Sequence, residues 1–159
     1  MVRPIRNPKS GILNRKRVAV ALIEQAGKIL IARRKAGVPF EHYWELPGGA
    51  VRGGESPARC VVREVREETG LTVHPEAYLG VFEHDYPQFT VEIHAYVCRT
   101  LDGEAQPLES EAIAWIGWEE IQSYRFPAAN ERIFDQARRF RAGCRTPYTA
   151  RRHNLNIRG

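Results

Sequence analysis

The stretch that most constrains this chain covers residues 44–72, where glycines, arginines and glutamates follow one another at fixed spacings. Ser56 is a good helix N-cap, Pro57 suits the first helical position, and Gly70 suits the residue just past a helix end. These signals predict one helix of about three to four turns over residues 57–69. The preceding loop is rich in glycine, so its backbone can approach an ion or a phosphate closely.

The two faces of this helix have different chemistry. One face has an apolar stripe made of Ala58, Val61, Val62 and Val65. The acids Glu64, Glu67 and Glu68 stand at i, i+3 and i+4, so their carboxylates share another face. Like charges there repel one another and oppose the helix dipole, and Arg63 and Arg66 can compensate only part of them. A hard divalent cation such as Mg2+, which binds carboxylates, water and phosphates, would compensate these negative charges better than the two arginines.

The spacing of this stretch resembles a known family signature. The pattern G-x5-E-x7-R-E-U-x-E-E-x-G-U, with U apolar, is the Nudix box, and every position is satisfied by Gly49, Glu55, Arg63, Glu64, Val65, Glu67, Glu68, Gly70 and Leu71. The chain therefore resembles the Nudix hydrolases. These enzymes use Mg2+ or Mn2+ to cleave substrates in which a nucleoside diphosphate is linked to a further group. The resemblance implies an α/β fold, a Nudix-type α/β/α sandwich with a mixed β-sheet.

The length of 159 residues predicts a single domain with a sizeable core. No apolar run is long enough to span a membrane and the N-terminus lacks the apolar core of a signal peptide, so we expect a cytoplasmic protein. Cys60, Cys98 and Cys144 form no metal-binding or disulfide pattern. The net charge of +5 favours a polyanionic ligand, but the arginines are scattered, so nucleic-acid binding by the fold is not expected. A homodimer is left open.

The remaining chain alternates strand and helix patterns. We expect a flexible arm over residues 1–15, a Nudix domain over residues 16–141 and a basic tail, exposed or bound to a partner, over residues 142–159. Residues 18–23 and 28–33 read as a hairpin around Ala26 and Gly27. Strands are predicted over 78–85, 89–98 and 111–117, a polar turn over 100–107, a short helix over 118–124 and an amphipathic helix over 129–141.

Three further features resemble the MutT branch of the family, which converts nucleoside triphosphates to a monophosphate and pyrophosphate. Arg33 and Arg34 precede the Pro-Gly-Gly by about a dozen residues, Glu109 stands six residues before Trp115, and residues 126–130 read F-P-A-A-N. Ala50 departs from that branch, which has a lysine after the double glycine.

The resemblance assigns roles to individual residues. It implies that Glu67, Glu68 and the Gly49 carbonyl hold Mg2+ and that Glu64 is the general base or a further ligand. It implies that Arg63 points away from the metal and pairs with a box carboxylate such as Glu55. The implied substrate contacts are Arg34, Leu46, Gly48 and Asn130.

Two of these assignments have competitors in the sequence. Glu109 is expected to add a metal ligand, with Glu111 as its rival. Asn130, expected at the purine edge, is also a plausible helix N-cap.

The resemblance implies several substrates. The first is a nucleoside triphosphate, with an oxidised purine such as 8-oxo-dGTP as the best single guess. The alternatives are nucleotide sugars, dinucleoside polyphosphates and RNA 5′ ends. A catalytically silent nucleotide-binding module is a further alternative, which the complete set Glu64, Glu67 and Glu68 argues against.

Overall fold

A computed structural model describes residues 14–149 and contains eight strands and two α-helices within that range. The strands are β1 (Arg15–Gln25), β2 (Lys28–Arg33), β3 (Trp44–Glu45), β4 (Gly48–Ala50), β5 (Thr72–Asp85), β6 (Thr90–Asp102), β7 (Ala112–Gly117) and β8 (Tyr148–Thr149). The α-helices are α1 (Pro57–Thr69) and α2 (Ala128–Arg141), and a 3-10 helix covers Trp118–Ser123. Within residues 14–149, no helix has the length and apolarity needed to cross a bilayer.

The sheet has the strand order β3-β2-β1-β6-β5-β8, with β4 added to β1 and β7 added to β2. The predicted hairpin between β1 and β2 is present, and its turn residues Ala26 and Gly27 have φ of 51° and 76°. Two successive positive φ values suit the right-handed twist of a tight hairpin. Beyond the turn the two strands separate, and β1 pairs with β4 whereas β2 pairs with β3. Strand β1 also pairs in parallel with β6, and β2 pairs with β7.

The sheet lies between the two helices, and β1 contributes side chains to the core on each of its faces. Ala19, Ala21 and Ile23 pack with the buried side of α1, whereas Leu22 packs in the second cluster, where Phe134 of α2 also lies. Successive strand residues point to opposite faces, so one strand can supply both cores. The predicted α/β/α sandwich with a mixed sheet is confirmed.

Helix α1 begins and ends at the predicted residues. Ser56 Oγ accepts a hydrogen bond from the Arg59 amide at 3.2 Å, and Gly70 adopts φ of 78° while its amide donates to the Arg66 carbonyl. The predicted apolar stripe needs one correction. The buried residues of the helix are Cys60, Val61, Val65 and Thr69. Ala58 and Val62 are only half-buried, because they lie at the edge of the helix–sheet contact.

Strands β5 and β6 are longer than predicted. Strand β5 begins at Thr72 rather than at residue 78, and β6 continues to Asp102, into the predicted polar turn. Three register shifts interrupt the pairing, one of them between Pro75 and Ala77. A proline cannot donate a ladder hydrogen bond, so a bulge is where a strand can include one. The alternation of buried and exposed residues breaks at these shifts, so the sequence pattern did not predict the first half of β5.

The two ends of the domain also differ from the prediction. Arg15 is not in a flexible arm, since it begins β1 and pairs with Thr90. The tail is not wholly exposed, because Tyr148 pairs with Gly80 of β5 and stacks on Phe82 with ring centroids 4.5 Å apart. A Cβ on Gly80 would lie 2.2 Å from the Tyr148 carbonyl oxygen, so only glycine allows this approach. The rest of the arm and residues 150–159 lie outside the described range.

Candidate active site

The Gly-rich loop and α1 are held together at Gly49. Strand β4 pairs with β1, which places Gly49 opposite Ala19 and against the acidic face of α1. A Cβ on Gly49 would lie 2.4 Å from the carboxyl carbon of Glu64, so a glycine is required for this carboxylate to lie against the backbone. The Gly49 carbonyl itself accepts a weak hydrogen bond from Cys60 Sγ at 3.5 Å.

Three carboxylates converge beside this loop. Glu64, Glu68 and Glu109 each bring an oxygen to a point where all three oxygens lie within 4.8 Å of one another. Glu68 Oε2 also accepts a hydrogen bond from the Gly48 amide at 3.1 Å. The pKa of Glu68 is raised to about 8, mainly by burial and also by the nearby carboxylates Glu45, Glu64 and Glu109, while the Gly48 amide opposes the shift.

This donor set fits a hard divalent cation. Mg2+ and Mn2+ prefer carboxylate oxygens, and close carboxylates repel one another unless a cation or a proton lies between them. Burial is the main cause of the raised pKa of Glu68, and the neighbouring carboxylates add to it. The residues present therefore suit the metal that the sequence predicts.

Arg63 holds the acidic face in place. Its Nε and Nη2 donate to the two oxygens of Glu55 at 2.7 and 2.9 Å, so the box carboxylate with which it forms a bidentate pair is Glu55, as the resemblance suggested. Its Nη1 donates to Glu64 at 2.8 Å and to Glu67 at 3.2 Å, and the expectation that Arg63 points away from the metal stays a prediction. The guanidinium lowers the pKa of Glu55 to about 2.

Glu67 lies at the rim of this arrangement. Its side chain is 40% exposed and faces Arg63 and Arg52 rather than the group formed by Glu64, Glu68 and Glu109. Glu67 is therefore a less central carboxylate here than the sequence suggested, and its metal-binding role stays a prediction.

The structure distinguishes the two acids before β7. Glu109 belongs to the carboxylate group, whereas Glu111 accepts from His42 Nδ1 at 2.9 Å and lies 3.4 Å from Arg33 Nε. The geometry thus favours Glu109 over Glu111 as the additional ligand, because Glu111 already contacts Arg33 and His42 elsewhere.

A cavity of about 200 Å3 lies beside the carboxylates. Arg34 shares its lining with Glu45, Glu68 and Glu109. Arg34 Nη1 donates to Glu45 Oε2 at 2.8 Å, and its Nε donates to the Pro39 carbonyl at 2.7 Å. The guanidinium is therefore fixed at the wall of the cavity that Glu68 also lines.

Glu45 is a site residue that the sequence analysis missed. Burial raises the pKa of Glu45, although its pair with Arg34 opposes that change. The only sequence feature that could have indicated a role for Glu45 is its position directly before the Leu-Pro-Gly-Gly. A single acid in a short strand gives no periodicity that would predict its partner.

The other predicted substrate contacts are less direct. The Leu46 side chain is 2% exposed and packs in the core cluster that also contains Phe134, so its role as a substrate contact stays a prediction. Gly48 uses its amide to bind Glu68. Asn130 is the third residue of α2 and its Nδ2 donates to the Pro127 carbonyl at 3.3 Å, so the alternative role as N-cap is wrong. Asn130 does not line the cavity of Arg34.

Comparison with known proteins identifies the family. The NUDIX domain family model matches residues 13–137. The chain belongs to the NUDIX family. As a Nudix pyrophosphohydrolase of the MutT-like branch, it acts on phosphoric anhydride bonds.

Relatives of this Nudix hydrolase cover most of its length. It is 33% identical to the CTP pyrophosphohydrolase of Escherichia coli (strain K12) over 113 residues, which are 71% of this chain and 84% of that protein. It is 28% identical to the 8-oxo-dGTP diphosphatase of the same strain over 123 residues, 77% of this chain and 95% of that protein. The crystal structure of the MutT protein from Methanosarcina mazei Go1 superposes with a TM-score of 0.72 at 26% identity, covering 80% of this chain and 96% of that one.

Proposed function

We propose that this Nudix hydrolase converts a nucleoside triphosphate to the nucleoside monophosphate and pyrophosphate, with an oxidised purine such as 8-oxo-dGTP as the first candidate. The observation that carries the proposal is the meeting of Glu64, Glu68 and Glu109 beside the cavity that Arg34 lines. Carboxylates suit the metal of a metal–triphosphate complex, and the guanidinium fork suits its phosphate oxygens. The two relatives named above, by their names, act on nucleotides.

Mg2+ or Mn2+ would be held by Glu64, Glu68 and Glu109, with Glu67 and the Gly49 carbonyl as further ligands from the resemblance. When bound, the ion supplies Lewis-acid polarisation of the anhydride and neutralises charge on its oxygens. Arg63 orients Glu64 through the hydrogen bond at 2.8 Å.

Glu64 is the first candidate for the general base, and it serves as a metal ligand alone if another carboxylate takes that role. As general base, it takes a proton from the water that attacks the β-phosphorus, and the bond from that phosphorus to the α–β bridging oxygen breaks. Arg34 binds a phosphate oxygen and, held by Glu45, needs little reordering to do so. Asn130 remains the proposed contact to the base, because an amide can both donate and accept.

The test is a panel of oxidised and normal nucleoside triphosphates, with CTP as the second candidate suggested by the relative from Escherichia coli. Each compound is scored by kcat/KM and by its products. The proposal expects 8-oxo-dGTP to give the highest kcat/KM, pyrophosphate as the product, and label from 18O-water in the pyrophosphate. Inorganic phosphate as the product would contradict it.

Variants test the acidic cluster directly. Glu67→Gln and Glu68→Gln should each lower divalent-dependent kcat by at least about a hundredfold, since each removes one charge from a metal-ligand set. The matched control is Glu104→Gln, an exposed acid, which should leave kcat unchanged. Normal pyrophosphate release by Glu68→Gln would contradict the assignment.

The same panel includes the other substrates implied by the family. Nucleotide sugars, dinucleoside polyphosphates and RNA with a 5′ triphosphate are tested beside the triphosphates. A higher kcat/KM for any of them would replace the proposed substrate. Binding without turnover of any compound would indicate a catalytically silent module.

A further inference from the structure

A second cavity lies on the other flank of α1, away from Glu68 and Glu109. Its volume is about 720 Å3, within the range typical of small-molecule sites. One wall is α1, with Arg59 and Arg66, and the other is the first half of β5, with His74. Tyr78 and Tyr96 form the floor. We call this cavity the tyrosine groove.

The floor of the tyrosine groove is an ordered aromatic surface. The rings of Tyr78 and Tyr96 have centroids 5.1 Å apart, and Tyr78 also stacks on His94. The Tyr78 hydroxyl lies 2.9 Å from His94 Nδ1, and His94 Nε2 lies 2.7 Å from Glu92. This chain of contacts fixes the ring of Tyr78, which is nevertheless 37% exposed. A fixed, exposed ring can stack on a planar ligand at little entropic cost.

The walls of the groove carry unbalanced positive charge. Arg59 and Arg66 stand two helical turns apart, which places them about 10 Å apart along the axis. Both are exposed, and neither side chain makes an ion pair within residues 14–149. Arg63 between them is already bound to Glu55, Glu64 and Glu67. The acid of the facing wall, Glu76, is paired with Arg99 at 2.7 Å.

These observations select the chemistry of the occupant. A ligand that matches the groove carries a planar aromatic ring for Tyr78 and an anionic group for Arg59 and Arg66. A second copy of this chain seated on a twofold axis would bring the same arginines against each other, which like-charge repulsion disfavours. We propose that the tyrosine groove is a second, non-catalytic binding site for a nucleoside phosphate, with the base on Tyr78 and the phosphate between Arg59 and Arg66.

The proposal is independent of the reaction at the carboxylates. Arg59, Arg66 and Tyr78 belong neither to the carboxylate group nor to the lining of the Arg34 cavity, and Arg63, which also lines the groove, is held by Glu55 and Glu64, so the two sites can be filled at the same time. Changes in the groove should therefore alter nucleotide binding there without altering the hydrolysis of substrate. Failure of either proposal leaves the other intact.

The experiment is a titration of the full 15N-labelled chain with GMP in EDTA, followed by amide chemical shifts. We expect a saturable set of shifts at residues 59–66, 74–78 and 96, separate from any shifts around Arg34. Arg59→Gln/Arg66→Gln should weaken this binding by about tenfold, since two charge-assisted contacts are lost. Tyr78→Leu should weaken it by about fivefold or more, since the stacking ring is removed.

The control is Arg138→Gln/Arg139→Gln, which removes the same charge from exposed residues of α2. It should bind GMP at the groove as the wild type does, and all variants should keep kcat/KM within about twofold. Shifts confined to the Arg34 cavity would overturn the proposal. So would equal loss in the control, equal affinity for inorganic phosphate or an acidic peptide, or much tighter binding of a short single-stranded RNA at the same amides.

Discussion

At the scale of single residues, the Nudix box is explained by contacts rather than by composition. Gly49 leaves room for the Glu64 carboxylate, and Arg63 connects Glu55 in the loop to Glu64 and Glu67 on the helix. The spacing from Glu55 to Arg63 and then to Glu64 is thus the spacing needed to close one ion-pair network. The network connects the loop before α1 to the helix that presents the acids.

Replacing Gly49 tests the close approach. A Cβ there meets the end of the Glu64 side chain, which can move, so Gly49→Ala should fold but displace this carboxylate. We expect kcat to fall by about a hundredfold, as for other small misplacements of catalytic groups, with little change in Tm. Gly53→Ala is the matched control, because a Cβ there meets nothing within 4 Å. An equal loss in both variants would point to loop flexibility instead.

The Glu55–Arg63 pair predicts a pH dependence of stability. The pKa of Glu55 is lowered from 4.5 to about 2 in the folded chain, so the unfolded chain binds more protons between these values. The stabilisation is therefore present above about pH 4.5 and is lost as the pH falls towards 2. Thermal melts should show Glu55→Gln less stable than wild type at pH 7, with the gap closing below pH 4. A gap that persists at pH 2 would refute this account.

At the scale of elements, the agreement with the sequence depends on how local the signals are. Helix α1 was predicted to the residue, because Ser56, Pro57 and Gly70 each act on their own backbone neighbours. The pairing of Arg63 with Glu55 was implied by the family resemblance, and the structure contains it. Strand β8 was missed, because two residues without periodicity pair with a strand that is distant in sequence.

Side-chain partners across the fold were equally hard to predict. The sequence could not decide between Glu109 and Glu111 as the additional metal ligand. It also could not show that Glu45 binds Arg34, because these contacts join different strands or loops. Leu46 was placed against the substrate by resemblance, and its side chain packs in the core. Local chemistry predicted the elements and the acids, and tertiary packing decided which acids meet.

The packing of β8 against β5 gives a prediction about stability at the scale of elements. Tyr148→Ala should lower the free energy of unfolding by about 2 kcal/mol, because it removes a half-buried ring stacked on Phe82. The neighbouring Thr149→Ala should change it by less than about 0.5 kcal/mol, since that side chain is exposed. Urea unfolding of both variants checks the difference. Equal stability of the two would mean that the tail contributes nothing to the domain.

At the scale of the whole molecule, α1 organises two different surfaces. Its buried side packs on the sheet, one flank joins Glu109 and the cavity of Arg34, and the other flank forms the tyrosine groove. The sandwich thus places an acidic, metal-suited site and a basic, aromatic groove on opposite sides of one helix. The central claim concerns the first of these surfaces.

The most direct test of that claim is an anomalous diffraction map from crystals soaked with Mn2+ and a non-hydrolysable nucleoside triphosphate analogue. The account predicts an anomalous peak between Glu64, Glu68 and Glu109, about 2 Å from carboxylate oxygens, with the analogue's phosphates beside Arg34. Glu68→Gln crystals under the same soak should lose or weaken this peak. A strong peak elsewhere, with these three carboxylates turned apart, would contradict the account.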